Sequence, residues 1–196
     1  MTADVVTAAQ EASIQEALKL MRKHSIRHLP VVNDERELLG WVSDADLRGL
    51  LIPSMLEELT LADVMIKDPH TAPPDMALED AARLILEKRI GGLPIVEGRK
   101  LLGIITVVDI LAAFITMLGV LTHSSRLDVT IPARGHALET ITRILRTANA
   151  EILSICHIPA TGGKDRTYSF RLKKCDIEAL KAKLKEKGFE VVSALA

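Results

Sequence analysis

The chain has 196 residues, of which 48% are apolar and 26% charged, the balance of a globular protein with room for two ordinary domains or three small modules. A net charge of −1 supplies no global field toward nucleic acid, and with only 3% aromatic residues the core must be built from Leu, Ile, Val and Ala. The longest apolar run, Val107 to Leu121, has 15 residues and carries Asp109 near its start, too short and too polar to span a bilayer.

Residues after Met1 are polar and strand-like, so no secretory signal is expected there. Cys156 and Cys175 lack CxxC or Cys/His ligand spacing, which implies neither a disulfide framework nor a zinc site and fits a reducing, cytoplasmic setting. His24 and His28 are four apart, but one closes a helix and the other enters a strand, so they need not share a face and no metal site is expected.

The first part of the chain is a duplication. At an offset of 64, Met1, Asp4, Thr7, Ala8, Ala17, Leu20, Ile26, Leu29, Pro30 and Val32 fall on Met65, Asp68, Thr71, Ala72, Ala81, Leu84, Ile90, Leu93, Pro94 and Val96. After one residue is lost from a turn, Leu38, Leu39, Gly40 and Asp46 fall on Leu101, Leu102, Gly103 and Asp109. The copies span 1–59 and 60–121.

Each copy predicts β-α-β-β-α. A short strand (Asp4 to Ala8; Pro69 to Ala72) leads to an amphipathic helix, SIQEALKLMRKH or ALEDAARLILEK. Two strands follow, LPVV with LLGWV and LPIV with KLLGIIT, joined by the turns NDERE and EGR. A last helix starts at Ser43 or Thr106. A unit this small cannot cover both faces of its own sheet, so the copies are expected to pack sheet to sheet with LPVV and LPIV at the junction.

Two heptapeptides in register, Gly40 to Asp46 and Gly103 to Asp109, follow the pattern G-h-h-[S/T]-x-x-D. With IRHLPVV and IGGLPIV they make the first 120 or so residues resemble a tandem pair of CBS domains, a Bateman module. The resemblance implies binding of AMP, ADP, ATP or S-adenosylmethionine as a regulatory ligand. Asp46 and Asp109 would hold the ribose hydroxyls, with Ser43 and Thr106 beside them. A carboxylate suits a cis-diol because its two oxygens can accept both hydrogen bonds. The same Ser-x-x-Asp and Thr-x-x-Asp spacings are also capping boxes, and the two readings are compatible.

The resemblance further places Thr7 and Thr71 against the adenine or ribose, and puts Pro30 and Pro94 in the binding strands. Arg27 and His28 stand where phosphate is held; an exposed pair complementing a helix end is the other reading. Gly91 and Gly92 occupy those places in the second copy, so the clefts are not expected to be equivalent. The second copy is preceded by LTLADVM and the first begins at Met1, so the first cleft is expected to lack part of its lead-in.

From 125 to 196 the pattern reads β-α-β-β-α-β, the ferredoxin-like order: RLDVTIP, GHALETITRILRTAN, EILSICHIP, RTYSFRLK, DIEALKAKLKEKG and FEVVSA. Turns are expected at Pro132 to Gly135, Ala160 to Lys164 and Gly188. The lysines of the last helix alternate with Leu180 and Leu184, a solvated amphipathic face. The opening IPARGHALETI resembles an ACT domain. That resemblance implies amino-acid binding at Gly135, His136, Ala137, Leu138, Asn149 and Glu151, or a purely dimerising role.

A CBS pair followed by an ACT domain is similar to the acetoin-utilisation B-type proteins of bacteria. The fold class is therefore α/β with α+β character, and the expected protein is a non-enzymatic, homodimeric sensor acting on a regulated enzyme. No GxSxG, P-loop or HExxH motif is present, and neither a catalytic cofactor nor a membrane partner is expected. The alternative is a dimerisation scaffold that binds nothing.

Overall fold

The computed structural model describes residues 1–49, 59–131, 136–158 and 166–195. They form two compact units, Met1–Ile110 and Leu111–Ala196.

In the first unit, Ser13 opens α1 (Ile14–His24) with a reciprocal cap. Its Oγ accepts from the Glu16 amide at 3.2 Å, and Glu16 Oε2 accepts from the Ser13 amide at 2.9 Å. Ile14, Ala17, Leu18 and Met21 form the buried stripe, and the helix stops at Ser25 in the left-handed region (φ 54°). The equivalent α4 (Leu78–Lys88) stops the same way at Arg89 (φ 55°).

Each helix leads into an antiparallel hairpin, β1 (His28–Val32) with β2 (Leu38–Ser43) and β3 (Gly92–Glu97) with β4 (Lys100–Thr106). Both hairpins shift register at the same place, between Val31 and Val32 and between Ile95 and Val96. The short helix α2 (Asp44–Gly49) follows β2, α3 (Leu61–Val64) leads toward the second copy, and α5 (Val107–Met117) follows β4.

Two expectations need correcting. Asp4 to Ala8 and Pro69 to Ala72 are not strands: each pairs at one residue, Ala8 beside Val31 and Ala72 beside Ile95. Those bonds run from Ala8 N to Pro30 O (3.1 Å) and from Ala72 N to Pro94 O (3.0 Å). Nor do LPVV and LPIV make the whole junction between copies: only Val32 of the one and Val96 of the other reach it. Leu29 and Val31 face α1, α2 and α3 in one cluster, while Trp41, Leu101 and Ile104 meet with Val5 and Val32 in another. The second strand of each hairpin therefore carries most of the contact, because strand alternation turns Leu29 and Val31 to the helices.

The copies exchange their lead-ins. Trp41 and Ile66 trade two backbone hydrogen bonds (3.0 and 2.9 Å), so the start of the second copy extends the hairpin of the first. Thr2 and Ile104 do the reverse (2.9 and 3.0 Å). The approach is close. A Cβ at Gly40 would collide with the Met65 side chain and lie 3.0 Å from Ile66 O, and one at Gly103 would lie 2.9 Å from Thr2 O. Leu59 and Val64 also pack on the first copy, where Leu61 is fully buried and its amide bonds to Ala12 O.

The second unit has β5 (Ser124–Ile131), α6 (Ala137–Thr147), β6 (Ile152–Ile158), β7 (Arg166–Lys173), α7 (Ile177–Glu186) and β8 (Glu190–Leu195). Its antiparallel sheet has the order β6-β7-β5-β8, the split arrangement that β-α-β-β-α-β connectivity demands. Leu127, Val129, Phe170 and Leu172 of the sheet pack on Ile141, Leu145, Leu180 and Leu184 of the helices. Asn149 (φ 55°) and Gly188 (φ 81°) make the left-handed turns out of the two helices. The turns expected at Pro132 to Gly135 and at Ala160 to Lys164 lie outside the described residues.

Gly40→Ala is expected to destabilise the protein by about 1–3 kcal/mol, the usual cost of overpacking. Gly49→Ala, with nothing among the described residues within 4 Å of the added carbon, is the control and should be close to neutral. Urea denaturation of both variants measures the difference.

Candidate functional site

Both signature motifs fold as capping boxes. Asp46 Oδ2 accepts from the Ser43 amide (3.1 Å) and hydroxyl (2.6 Å), and Ser43 Oγ accepts from the Asp46 amide (3.2 Å). Thr106 and Asp109 repeat the pattern at 2.8, 2.6 and 3.3 Å. In both cases one carboxylate oxygen makes the cap. Among the described residues the other, Oδ1, has no hydrogen-bond partner, so a cap and a ligand contact can coexist on one side chain.

Asp46 stands on the wall of a cleft of about 860 Å³, at the upper end of the range for small-molecule sites. The first copy contributes Arg27, His28, Trp41 and Ser43 to Asp46. The second contributes Ile66 and Asp68 to His70 from its lead-in, and Lys88 to Gly92 with Pro94 from the end of α4 and the start of β3. The exchanged lead-in is thus what closes the Asp46 cleft.

His28 is half-buried here and stacks on Trp41 with ring centroids 5.3 Å apart and planes 23° apart. A side chain at residue 91 would collide with its imidazole, so Gly91 makes the space that His28 fills. Burial lowers the imidazole pKa below its ordinary value; the Asp46 charge acts against that shift and Arg27 adds to it. Nearby, Arg48 Nε donates to Asp44 Oδ2 at 2.7 Å, and this bond holds the Asp44 carboxyl below the usual carboxylate range.

Of the residues named from sequence, Arg27, His28, Ser43, Asp46 and Pro94 line this cleft. Pro30 is buried in β1 opposite Trp41, and Thr71 sits one residue beyond the lining residue His70. Thr7 adjoins Ala8 in the same way, and Thr106 with Asp109 belongs to the second copy's own motif. Sequence reading does not single out Trp41, Asp68, His70, Lys88 or Arg89. The offset of 64 carries a usable signal, since Lys88 and Arg89 end α4 one residue ahead of the glycines that replace Arg27 and His28.

In the second unit, Gly135 lies outside the described residues. His136 is exposed and its Nδ1 lies 3.3 Å from Glu139 Oε2; Ala137 and Leu138 pack on the core. Asn149 turns the chain, and Glu151 pairs with Lys173 at 3.2 Å. A separate groove of about 440 Å³ between α6 and α7, lined by Thr140, Arg143, Thr147, Lys183 and Lys187 among others, includes none of these residues. Among the described residues no group of three or more His, Cys, Asp or Glu could hold a metal, and no helix is long and apolar enough to cross a membrane.

Two hairpin–helix copies that exchange lead-ins around a cleft define a tandem repeat pair. The chain belongs to the CBS domain family, whose model matches residues 1–52 and 61–116. It is similar to CBSX2 in complex with AMP (32% identity, 58% of this chain and 89% of that one, TM-score 0.53). It is also similar to the CBS domain pair of protein MJ0100 in complex with 5′-methylthioadenosine and S-adenosyl-L-methionine (31%, 58% and 93%, TM-score 0.53). A third similar structure is a Vibrio cholerae protein assigned to acetoin utilization, AcuB (33%, 61% and 90%, TM-score 0.56). Among curated relatives, a homoserine O-acetyltransferase of Methanosalsum zhilinae is 35% identical over 106 residues, 54% of this chain but 21% of that protein. The chain thus spans about a fifth of that enzyme's length.

Because His28 is held with a lowered pKa, the unfolded chain binds the proton more readily than the folded one. Its contribution to stability is present above the unfolded histidine pKa of about 6.5 and is lost as pH falls through the folded value. The fall in melting temperature between about pH 7.5 and 5 should therefore be smaller in His28→Gln than in the unsubstituted protein. Equal falls in the two proteins would remove His28 as the source.

Proposed function

We propose that the chain is a regulatory sensor that binds an adenosine ligand, AMP, ADP, ATP or S-adenosylmethionine, in the cleft shared by its two CBS motifs. The observation that carries this reading is Asp46: one oxygen makes the cap, the other has no hydrogen-bond partner among the described residues, and the residue lines a cleft of about 860 Å³. The free oxygen is available to a ribose hydroxyl, Pro94 and Ile66 supply apolar wall, and Arg27 stands within the same cleft for a phosphate. The ligands of CBSX2 and of the MJ0100 pair support the adenosine class.

The reading extends to the rest of the chain. CBS motifs at 1–59 and 60–121 precede an ACT-type domain at 125–196, supported by the strand order β6-β7-β5-β8. Gly135 to Leu138, Asn149 and Glu151 would then bind an amino acid, or the domain would serve only to dimerise. A cytoplasmic, acetoin-related setting and a regulated partner enzyme complete the proposal. Signalling is a difference in ligand affinity between two arrangements of the assembly.

A homodimer is favoured by α5. Its only charged residue is Asp109, yet Leu111 is 55% exposed, Met117 60% and, just beyond the helix, Leu121 74%. A helix so apolar on its open side is one that buries against a partner.

AMP at about 100 times its Kd should raise the melting temperature by about 5 to 10 °C. Asp46→Asn, which keeps the side chain's shape and an acceptor for the cap, should abolish most of that rise. No rise with any adenosine ligand at millimolar concentration would leave the dimerisation scaffold as the better reading. Leu111→Lys with Leu121→Lys should shift the mass measured by light scattering from dimer to monomer; an unchanged mass would remove α5 from the interface.

A further inference from the structure

We propose that His28 makes the Asp46 cleft a joint sensor of ligand and proton: an adenosine ligand with a negative 5′ end binds there with uptake of a proton by the imidazole, and so binds more tightly as pH falls. This second input rests on the adenosine reading of Asp46 and adds how that site is regulated.

The register of the first hairpin puts the imidazole beside the signature motif. His28 stands opposite Ser43, and Pro30 stands opposite Trp41. Residues two apart on a strand share a face, as do residues directly opposite across an antiparallel pair. His28, Trp41 and Ser43 therefore lie on one side of the hairpin. Ser43 Oγ in turn donates to Asp46 Oδ2 at 2.6 Å, so the imidazole neighbours the pair that would hold the ribose. It is fixed there by its stack on Trp41, in space that Gly91 leaves free.

The surroundings keep the proton off His28. Burial disfavours the imidazolium most; the Asp46 charge favours it, and Arg27 opposes it again. The second copy adds Lys88 and Arg89 to the same walls, and among the described residues neither they nor Arg27 is in an ion pair. Of the carboxylates lining the cleft, Asp44 is matched by Arg48 and Asp46 spends one oxygen on its cap, which leaves Asp68. His70, from the second copy's lead-in, is the other imidazole there.

A phosphate in this cleft would reverse that field. It would accept hydrogen bonds from the unpaired cations, so that their charge no longer opposes the imidazolium, and it brings negative charge of its own. Protonated His28 then becomes one more donor. An uncharged adenosine only deepens the burial and favours the neutral ring. Because the coupling is reciprocal, a ligand that raises proton affinity must itself bind more tightly to the protonated protein.

A protonated imidazole quenches an indole stacked on it, so Trp41, the only tryptophan in the chain, reports the state of His28. Trp41 emission should titrate with pH in the unsubstituted protein and in His70→Gln, and lose that titration in His28→Gln. Saturating AMP should move the midpoint to higher pH, and adenosine should not; this comparison needs no substitution. By calorimetry, the AMP affinity of the unsubstituted protein should rise about threefold or more between about pH 7.5 and 5.5 relative to His28→Gln, whose profile carries AMP's own titration. A midpoint that AMP leaves in place, or that adenosine raises equally, overturns the proton linkage and leaves the adenosine reading intact. So does one pH profile of AMP affinity shared by both proteins, a titration lost in His70→Gln, or binding of S-adenosylmethionine without binding of AMP. Failure of every adenosine compound to bind the unsubstituted protein at any pH overturns both.

Discussion

The exchange of lead-in segments holds the first unit together. Four backbone hydrogen bonds, between Trp41 and Ile66 and between Thr2 and Ile104, tie each copy's first residues to the other copy's hairpin. Gly40 and Gly103 make that approach possible, because a side chain at either position would stand in the path of the incoming backbone. The signature glycine is thus a packing requirement, and the hydroxyl and carboxylate that follow it are a cap. The first copy depends on the second on both faces: Leu29 and Val31 pack with Leu61 of α3 as well as with α1 and α2, and Val32 and Trp41 meet Leu101 and Ile104.

The cleft follows from the same exchange. Asp46 is fixed by a local cap at the start of α2, but the opposite wall arrives with Ile66 to His70 and with the end of α4. A ligand there would touch both copies at once, so its binding energy would depend on how the copies are arranged. That dependence is the physical minimum for a sensor. His28 sharpens the asymmetry, since the imidazole of the first copy fills space that Gly91 leaves open in the second.

The second unit is built on more ordinary terms. Two helices cover one face of a four-stranded sheet with a Leu, Ile, Val and Phe core, and left-handed residues turn the chain out of each helix. Buried Asp128 on β5 is bridged by Arg126 through two hydrogen bonds of 3.0 and 2.8 Å, so the one buried carboxylate of that sheet is matched.

Features set by near neighbours along the chain are legible from the residues alone. The caps at Ser43 and Thr106, the stripe Ile14, Ala17, Leu18 and Met21, and the six elements of the second unit depend on contacts three or four residues apart or on strand alternation. What only the tertiary structure decides has a sequence separation of tens of residues. Asp4 to Ala8 reads as a strand by composition, yet pairs at Ala8 alone because its neighbours have no hairpin edge to meet. The junction residues Trp41 and Ile104 stay hidden in the sequence because alternation alone does not say which face meets a twin. Sequence reading does not single out Lys88 and Arg89, and only folding brings them to the cleft that Asp46 lines. Local periodicity and capping chemistry are written in the chain itself, whereas the surface that each element meets exists only once the two copies have closed on one another.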